Sequence, residues 1–243
     1  MSEQKEPSDL QSTVEDAFGF NFRSLKTIND LFIRPRTVFE AYAARDRVSY
    51  TPAIKIWLGL IGLQVITNAV FGGWEGLIRR TFEADPATAA VYEEVTAGRV
   101  DEFLVHYASA LSMAQAPVVG VFSALSVFVL GWFNKSVPWS GRFNIAMGVL
   151  TAGSIMGVLT MAMFLIPAPP GWLYFATTGL IVFVYFVTFG RGAKGTLAQT
   201  NTGAWIKAAI FSIVLIILVF LAYLAMSMGA TVYGLAMIGP PPA

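Results

Sequence analysis

From residue 53 onward the chain alternates long apolar runs with short polar connections. Five runs stand out, at about 53–73, 108–133, 143–166, 172–189 and 205–228. Each is near or above the roughly 18 residues that a helix needs to cross a hydrocarbon core of about 30 Å. The apolar positions are continuous rather than alternating, which argues against a β-barrel. Trp57, Trp132, Trp139, Trp172 and Trp205 lie near the ends of the runs, where amphipathic rings favour the headgroup zone. The pattern predicts an all-α fold: a polytopic integral membrane bundle of five transmembrane helices filling residues 52–243.

The preceding segment, 22–51, has a different period. Phe22, Leu25, Ile28, Leu31 and Phe32 recur at helical spacing among Arg23, Lys26, Asn29 and Asp30. Arg34-Pro35 breaks the run, because proline disfavours helix at the residue before it. A second helix can begin there, with Pro35 in its first turn, Thr37-x-x-Glu40 as a capping box, and Val38, Phe39, Tyr42 and Ala43 as its apolar face. Two short amphipathic helices ahead of a span are expected to lie on the membrane surface. Packing against the protein's own cytoplasmic loops is the alternative. Residues 1–21 read as an acidic, mobile tail with no signal-peptide pattern.

Composition adds the solvent. Of 243 residues, 56% are hydrophobic and only 13% charged, with a mean hydropathy of +0.63. Ordinary soluble domains carry about a quarter charged residues. The net charge of +1 says little, but its distribution sets a topology. Thirteen of the sixteen Lys and Arg fall in the N-terminal segment and in the connections after the second and fourth runs. Arg79, Arg80 and Arg99 are the remaining three, all in the first connection. The positive-inside rule then places the N-terminus in the cytoplasm and the C-terminus outside. The outer connection, about 74–107, holds Glu75, Glu83, Asp85, Glu93, Glu94, Asp101 and Glu102. Asp85-Pro86 suits a helix start and Gly98 a stop, with Tyr92 and Val95 on one face.

Candidate chemistry is sparse. The absence of cysteine excludes disulfides and thiolate sites, and the single histidine, His106, argues against multi-histidine metal or haem sites. No acidic residue follows Glu102, so the last four runs offer no buried carboxylate for a proton relay. Gly190-x-Gly192-x-x-Gly195 spells a dinucleotide fingerprint but follows an apolar run rather than a strand, so a cytoplasmic turn is expected. Gln64, Asn68, Gln115 and Asn144 form a candidate intramembrane polar cluster, either lining a path or acting as interhelical glue. Gly153 and Gly157 allow a close helix crossing. Arg34, Arg36, Arg45, Arg47, Arg191, Lys194 and Lys207 are candidate contacts for anionic lipid headgroups.

The run Arg34-Pro35, Tyr42, Arg45, Arg47, Tyr50 and Pro52 resembles a juxtamembrane stretch of a family of uncharacterised bacterial multi-span membrane proteins, a domain of unknown function. The layout is similar to that of Yip-type proteins, with a cytoplasmic N-terminal segment and five spans. The resemblance implies no catalytic residue. The zinc-suited cysteine cluster that members of the first family often carry has no counterpart here. The function expected is that of a non-enzymatic protein of the cell inner (cytoplasmic) membrane: an accessory subunit, scaffold or membrane-organising protein. It would work without cofactor or nucleic acid, in contact with anionic lipids and a membrane-protein partner. The alternative is a small transporter or channel with a neutral polar path through the bundle.

Overall fold

A computed structural model describes residues 21–46, 48–70, 72–161 and 171–239. The acidic tail, Arg47 and the predicted close of the third run at Ile166-Pro167 lie outside the described residues. Among those residues all regular structure is helical. In chain order the helices are α1 (Phe22–Ile33), α2 (Pro35–Ala43), α3 (Ala53–Val70), α4 (Gly73–Ala84) and α5 (Pro86–Val95). They continue with α6 (Val100–Ala124), α7 (Ser126–Phe133), α8 (Trp139–Met161), α9 (Gly171–Gly192) and α10 (Asn201–Ile238).

Among the described residues, four helical stretches are long and apolar enough to cross a membrane: Val100–Phe133, Trp139–Thr160, Phe175–Gly192 and Asn201–Ile238. The first is α6 and α7 end to end, tightened at Leu125, whose N–H reaches Phe122 O at 3.1 Å, while Pro117 sits inside α6 without ending it. Ala53–Thr67 of α3 is apolar over a shorter length. Beyond Val70, Gly72 and Gly73 both take left-handed backbone (φ 88° and 65°), a conformation that residues with a Cβ seldom adopt.

Two of the predicted runs prove to be parts of longer helices. The 38 residues of α10 extend to about 57 Å, nearly twice a hydrocarbon core. Its last turns and the first turns of α6 pack together with α4 and α5 in a separate apolar cluster. Phe82, Tyr92, Phe103 and Tyr107 form a ladder of rings there, with centroids 4.9, 5.7 and 5.3 Å apart. Gly234 permits the closest approach, since a Cβ there would stand 2.7 Å from the Phe103 ring. Arg99 closes the end of α10 by donating to Ile238 O and, at 2.7 Å, to Gly239 O. A cation at a helix C-terminus also complements its dipole. Asp85 caps α5 as expected, with its carboxyl held below the usual range by bonds from Thr88 and Ala87. Tyr92 faces the cluster, whereas Val95 is 56% exposed rather than sharing its face.

The opposite end of the bundle carries α1 and α2. Here the larger core runs from Leu31, Val38 and Phe39, all 0% exposed, into α8, α9 and α10. Phe189 of α9 is its hub, meeting Phe39 edge-on at 6.1 Å, Phe133 at 6.0 Å, and Phe211 in a stack at 4.6 Å. The α1–α2 break falls at Arg34-Pro35 as predicted. The capping box does not form: Arg34 occupies the cap position, Thr37 is already inside the first turn, and Glu40 pairs with Arg36 at 2.7 Å.

Candidate functional site

Two features of the bundle suit binding: a platform at the α1–α2 end, and a hollow between the long helices. The platform begins with the faces of α1. Its buried face is polar: Ser24, Thr27 and Asp30 are at most 9% exposed. Each is satisfied. Ser24 Oγ donates to Thr51 Oγ1 at 3.2 Å, Thr27 Oγ1 accepts from Thr51 N–H at 3.0 Å, and Asp30 Oδ2 accepts from the Tyr50 hydroxyl at 2.9 Å. The outward face carries Phe22, Leu25 and Ile33, exposed by 73%, 58% and 56%. Positions 22, 25, 29 and 33 follow one stripe at helical spacing. Of the predicted apolar face, Leu31 turns into the protein, while Phe22 and Leu25 turn away from it.

The direction of α1 follows from its anchors. Near its start it bonds to Thr51, just before α3. At its end Phe32 O and Ile33 O accept from Arg191 of α9, both at 2.8 Å. Both anchors belong to the same end of the bundle, so α1 lies across that end rather than continuing a long helix. Burial, and then the bond to Asp30, push the Tyr50 hydroxyl up to about 12. Burial also raises Tyr42, whose hydroxyl donates to Thr51 O at 2.9 Å.

The candidate headgroup cations divide by what they touch. Arg34 and Arg45 are exposed, and Arg36 pairs with Glu40. Arg45 holds a left-handed backbone (φ 61°) just past α2, where Asp46 N–H returns to Ala41 O at 2.9 Å. That motif usually ends on glycine. Arg191 is committed to the α1 carbonyls. Lys207 donates to Phe133 O at 2.9 Å and Leu197 O at 2.6 Å, tying two connections together. Lys194 is half-buried in the turn after α9, and Arg47 lies outside the described residues.

The three glycines of that turn have packing roles. A Cβ at Gly190 would stand 2.2 Å from the Trp205 ring, and one at Gly192 would stand 2.7 Å from Phe39. Gly195 is left-handed at φ +89°. The spelling of a nucleotide fingerprint thus arises from two close helix approaches and one turn.

The hollow lies between α3, α6, α8, α9 and α10 and measures about 490 Å³. Gln64 and Gln115 both line it, so these two members of the predicted polar cluster come together. Gln115 Oε1 accepts from Trp74 Nε1 at 3.3 Å. Asn144 stands elsewhere, accepting from Ala53 N–H at 3.0 Å and donating to Ser140 O at 2.9 Å, which staples α8 to the start of α3. It borders a smaller hollow of about 180 Å³ beside Tyr42 and Arg45. The backbone of Asn68 belongs to α3, and its side chain lies outside the described residues.

Sequence reading missed Ser154, Thr178, Tyr185 and Tyr223, which also line the larger hollow. The signal was present as periodicity: Thr178, Ile181 and Tyr185, like Ile216, Phe220 and Tyr223, fall on single helix faces. Gly153 serves the internal packing expected of it, because a Cβ there would stand 2.0 Å from the Tyr185 ring. His106 meets Tyr233 edge-on at 6.4 Å, at the α4–α5 end. Among the described residues no group of three or more His and carboxylate side chains could hold a metal ion. Compared with known protein families, characterised proteins and solved structures, the chain matches none.

Proposed function

We propose that this is a non-enzymatic integral membrane protein that works by binding, with the α1–α2 platform as its docking surface on the cytoplasmic leaflet. In this reading α3 completes a fifth crossing, the N-terminus is cytoplasmic and the C-terminus outside, and the membrane is a bacterial inner membrane. The observation that carries it is the inverted α1 helix. Its polar side is buried and satisfied, and its exposed side offers Phe22, Leu25 and Ile33 with Lys26 beside them. An in-plane helix with an outward apolar stripe and cations at its edge fits the boundary between headgroups and acyl chains. Arg34 and Arg45 add contacts to anionic lipids worth about 1 kcal/mol each near the surface. Arg45 retains a side chain where glycine would relieve the backbone, which supports a role for its guanidinium. A protein fixed to the leaflet in this way is suited to act as scaffold or accessory subunit to a membrane-protein partner.

The chain has no cysteine, so Phe22→Cys provides a single site for an environment-sensitive fluorophore. The protein is reconstituted in discs of anionic lipid carrying nitroxides at successive acyl depths. Quenching by shallow nitroxides, weakened by Arg34→Glu with Arg45→Glu, is the expected result. A position-22 label that no nitroxide quenches refutes leaflet docking. A conduction path is less well supported, because Asn144 serves as a staple and the hollow is closed towards the platform by the Phe39–Phe189–Phe211 layer.

A further inference from the structure

We propose that the 490 Å³ hollow is a binding site for an uncharged lipid whose head group carries carbonyl oxygens on a long hydrocarbon tail. The inference stands apart from the platform's role. Its volume lies within the roughly 300–1,000 Å³ of small-molecule sites, and like them it has mostly apolar walls with a few polar groups. Among the described residues, no charged side chain lines it. An ionised ligand would therefore be buried without a counter-charge, at a cost of several kcal/mol. The ligand is neutral.

The polar groups define what the head must offer. Gln115 spends its carbonyl oxygen on Trp74, leaving its amide NH₂ as a donor. Gln64 adds a second amide and Tyr185 a hydroxyl, both on the wall of the hollow. The engaged oxygen of Gln115 leaves a donor that selects an acceptor, and a carbonyl oxygen is one that an uncharged lipid head supplies.

Access decides the solubility of the ligand. One turn nearer the platform, Ala53, Met147, Phe189 and Phe211 are at most 1% exposed, so the hollow has a closed floor. Its mouth is marked by Phe220 and Tyr223, 65% and 39% exposed, midway along α10. A molecule arriving there comes from the bilayer, with its head inside and its tail trailing through the gap. Gly157 keeps the hollow open: among the described residues a Cβ at that position has only Gln64 Nε2 at 3.5 Å and Ile181 at 3.9 Å for neighbours, and a longer side chain would project into the space.

The test extracts the full chain from its membrane in polymer-bounded lipid discs, purifies it in mild detergent, and quantifies bound lipid by mass spectrometry. An isoprenoid quinone and a diacylglycerol share the required chemistry. Each is supplied to delipidated protein as a probe, and the one retained identifies the source. The expected result is retention near one per chain, falling about tenfold or more in Gly157→Leu, a loss of about 1.4 kcal/mol or more of binding free energy. Gln64→Leu, which keeps the volume and removes the amide, should lose retention several-fold with an unchanged melting temperature. It decides the matter if Gly157→Leu fails to fold. Retention of neither probe, or equal retention by wild type and Gln64→Leu, overturns the proposal.

Discussion

Phe39→Ala tests whether α1 and α2 are an integral part of the bundle or a loosely attached arm. The ring is 0% exposed, meets Phe189 edge-on at 6.1 Å, and fills the space over Gly192, whose would-be Cβ lies 2.7 Å from it. Truncating a buried Phe to Ala costs about 3–5 kcal/mol when the cavity cannot collapse. The floor is made of Phe133, Phe189 and Phe211 on three other helices, so collapse is limited. The loss falls on docking of the pair, because Phe39 is the α2 side chain that packs against these rings. At about 1.4 kcal/mol per factor of ten, amide exchange through local opening should accelerate by about two to three and a half orders of magnitude across 24–43. Exchange in the middle of α8 should stay as it was. Hydrogen–deuterium exchange with mass spectrometry in lipid discs reads both segments at once. Thr37→Ala, at an exposed position of α2 outside the apolar stripe, is the control and should change opening by no more than about 0.5 kcal/mol. An acceleration under about tenfold at 24–43, or an equal one in α8, would refute the idea of a rigidly docked platform.

Three further outcomes follow from the geometry. Gly190→Ala should lower the melting temperature of the purified protein through an overpacking cost of about 1–3 kcal/mol, since its Cβ would stand 2.2 Å from the Trp205 ring. Gly179→Ala, with nothing among the described residues within 4 Å of its Cβ, should be neutral or mildly stabilising. Lys207→Met leaves Phe133 O and Leu197 O without their shared donor and should cost about 1.5–3 kcal/mol, read as faster proteolysis in the 193–200 turn. Tyr50 and Tyr42 both have raised values, so their contribution to docking is complete below the ordinary tyrosine value near 10 and is lost as pH rises. For Tyr50 the loss should run between about 10 and about 12, seen as late tyrosinate absorbance that rises together with exchange in α1. A Tyr50→Phe variant that keeps the same late step would disprove the assignment.

Much of the fold could be read from the chain because lipid imposes simple demands. Backbone groups in hydrocarbon must be satisfied within a helix, so continuous apolar runs announce themselves, and the α8, α9 and α10 runs were placed to within a few residues at most of their described starts. The breaks at Arg34-Pro35, Asp85-Pro86 and Gly98 were legible for a local reason: proline, an Asx cap and a left-handed glycine act on their own backbone. The length of α10 was not. An apolar run reports that a segment avoids water, but not whether lipid or protein excludes it. The last ten residues of α10 are sheltered partly by Phe103 and its neighbours rather than by acyl chains alone.

The candidate site was legible only in part, and α1 shows why. Periodicity identified an amphipathic helix, but it cannot say which face meets the protein. Ser24, Thr27 and Asp30 are ordinary surface residues by type, and they are buried because Thr51 and Tyr50, 20 to 27 residues away, supply their hydrogen bonds. The same limit governs the polar residues of the bundle. Gln64, Gln115 and Asn144 are alike in composition, yet Asn144 is spent on Ala53 N–H while the other two border a common space. Even Gly190, Gly192 and Gly195 were ambiguous for this reason: glycine marks a place where something comes close, and only the fold shows that the visitors are the rings of Trp205 and Phe39. A residue type states what a side chain can do; the neighbour that arrives from elsewhere in the chain decides which of those things it does.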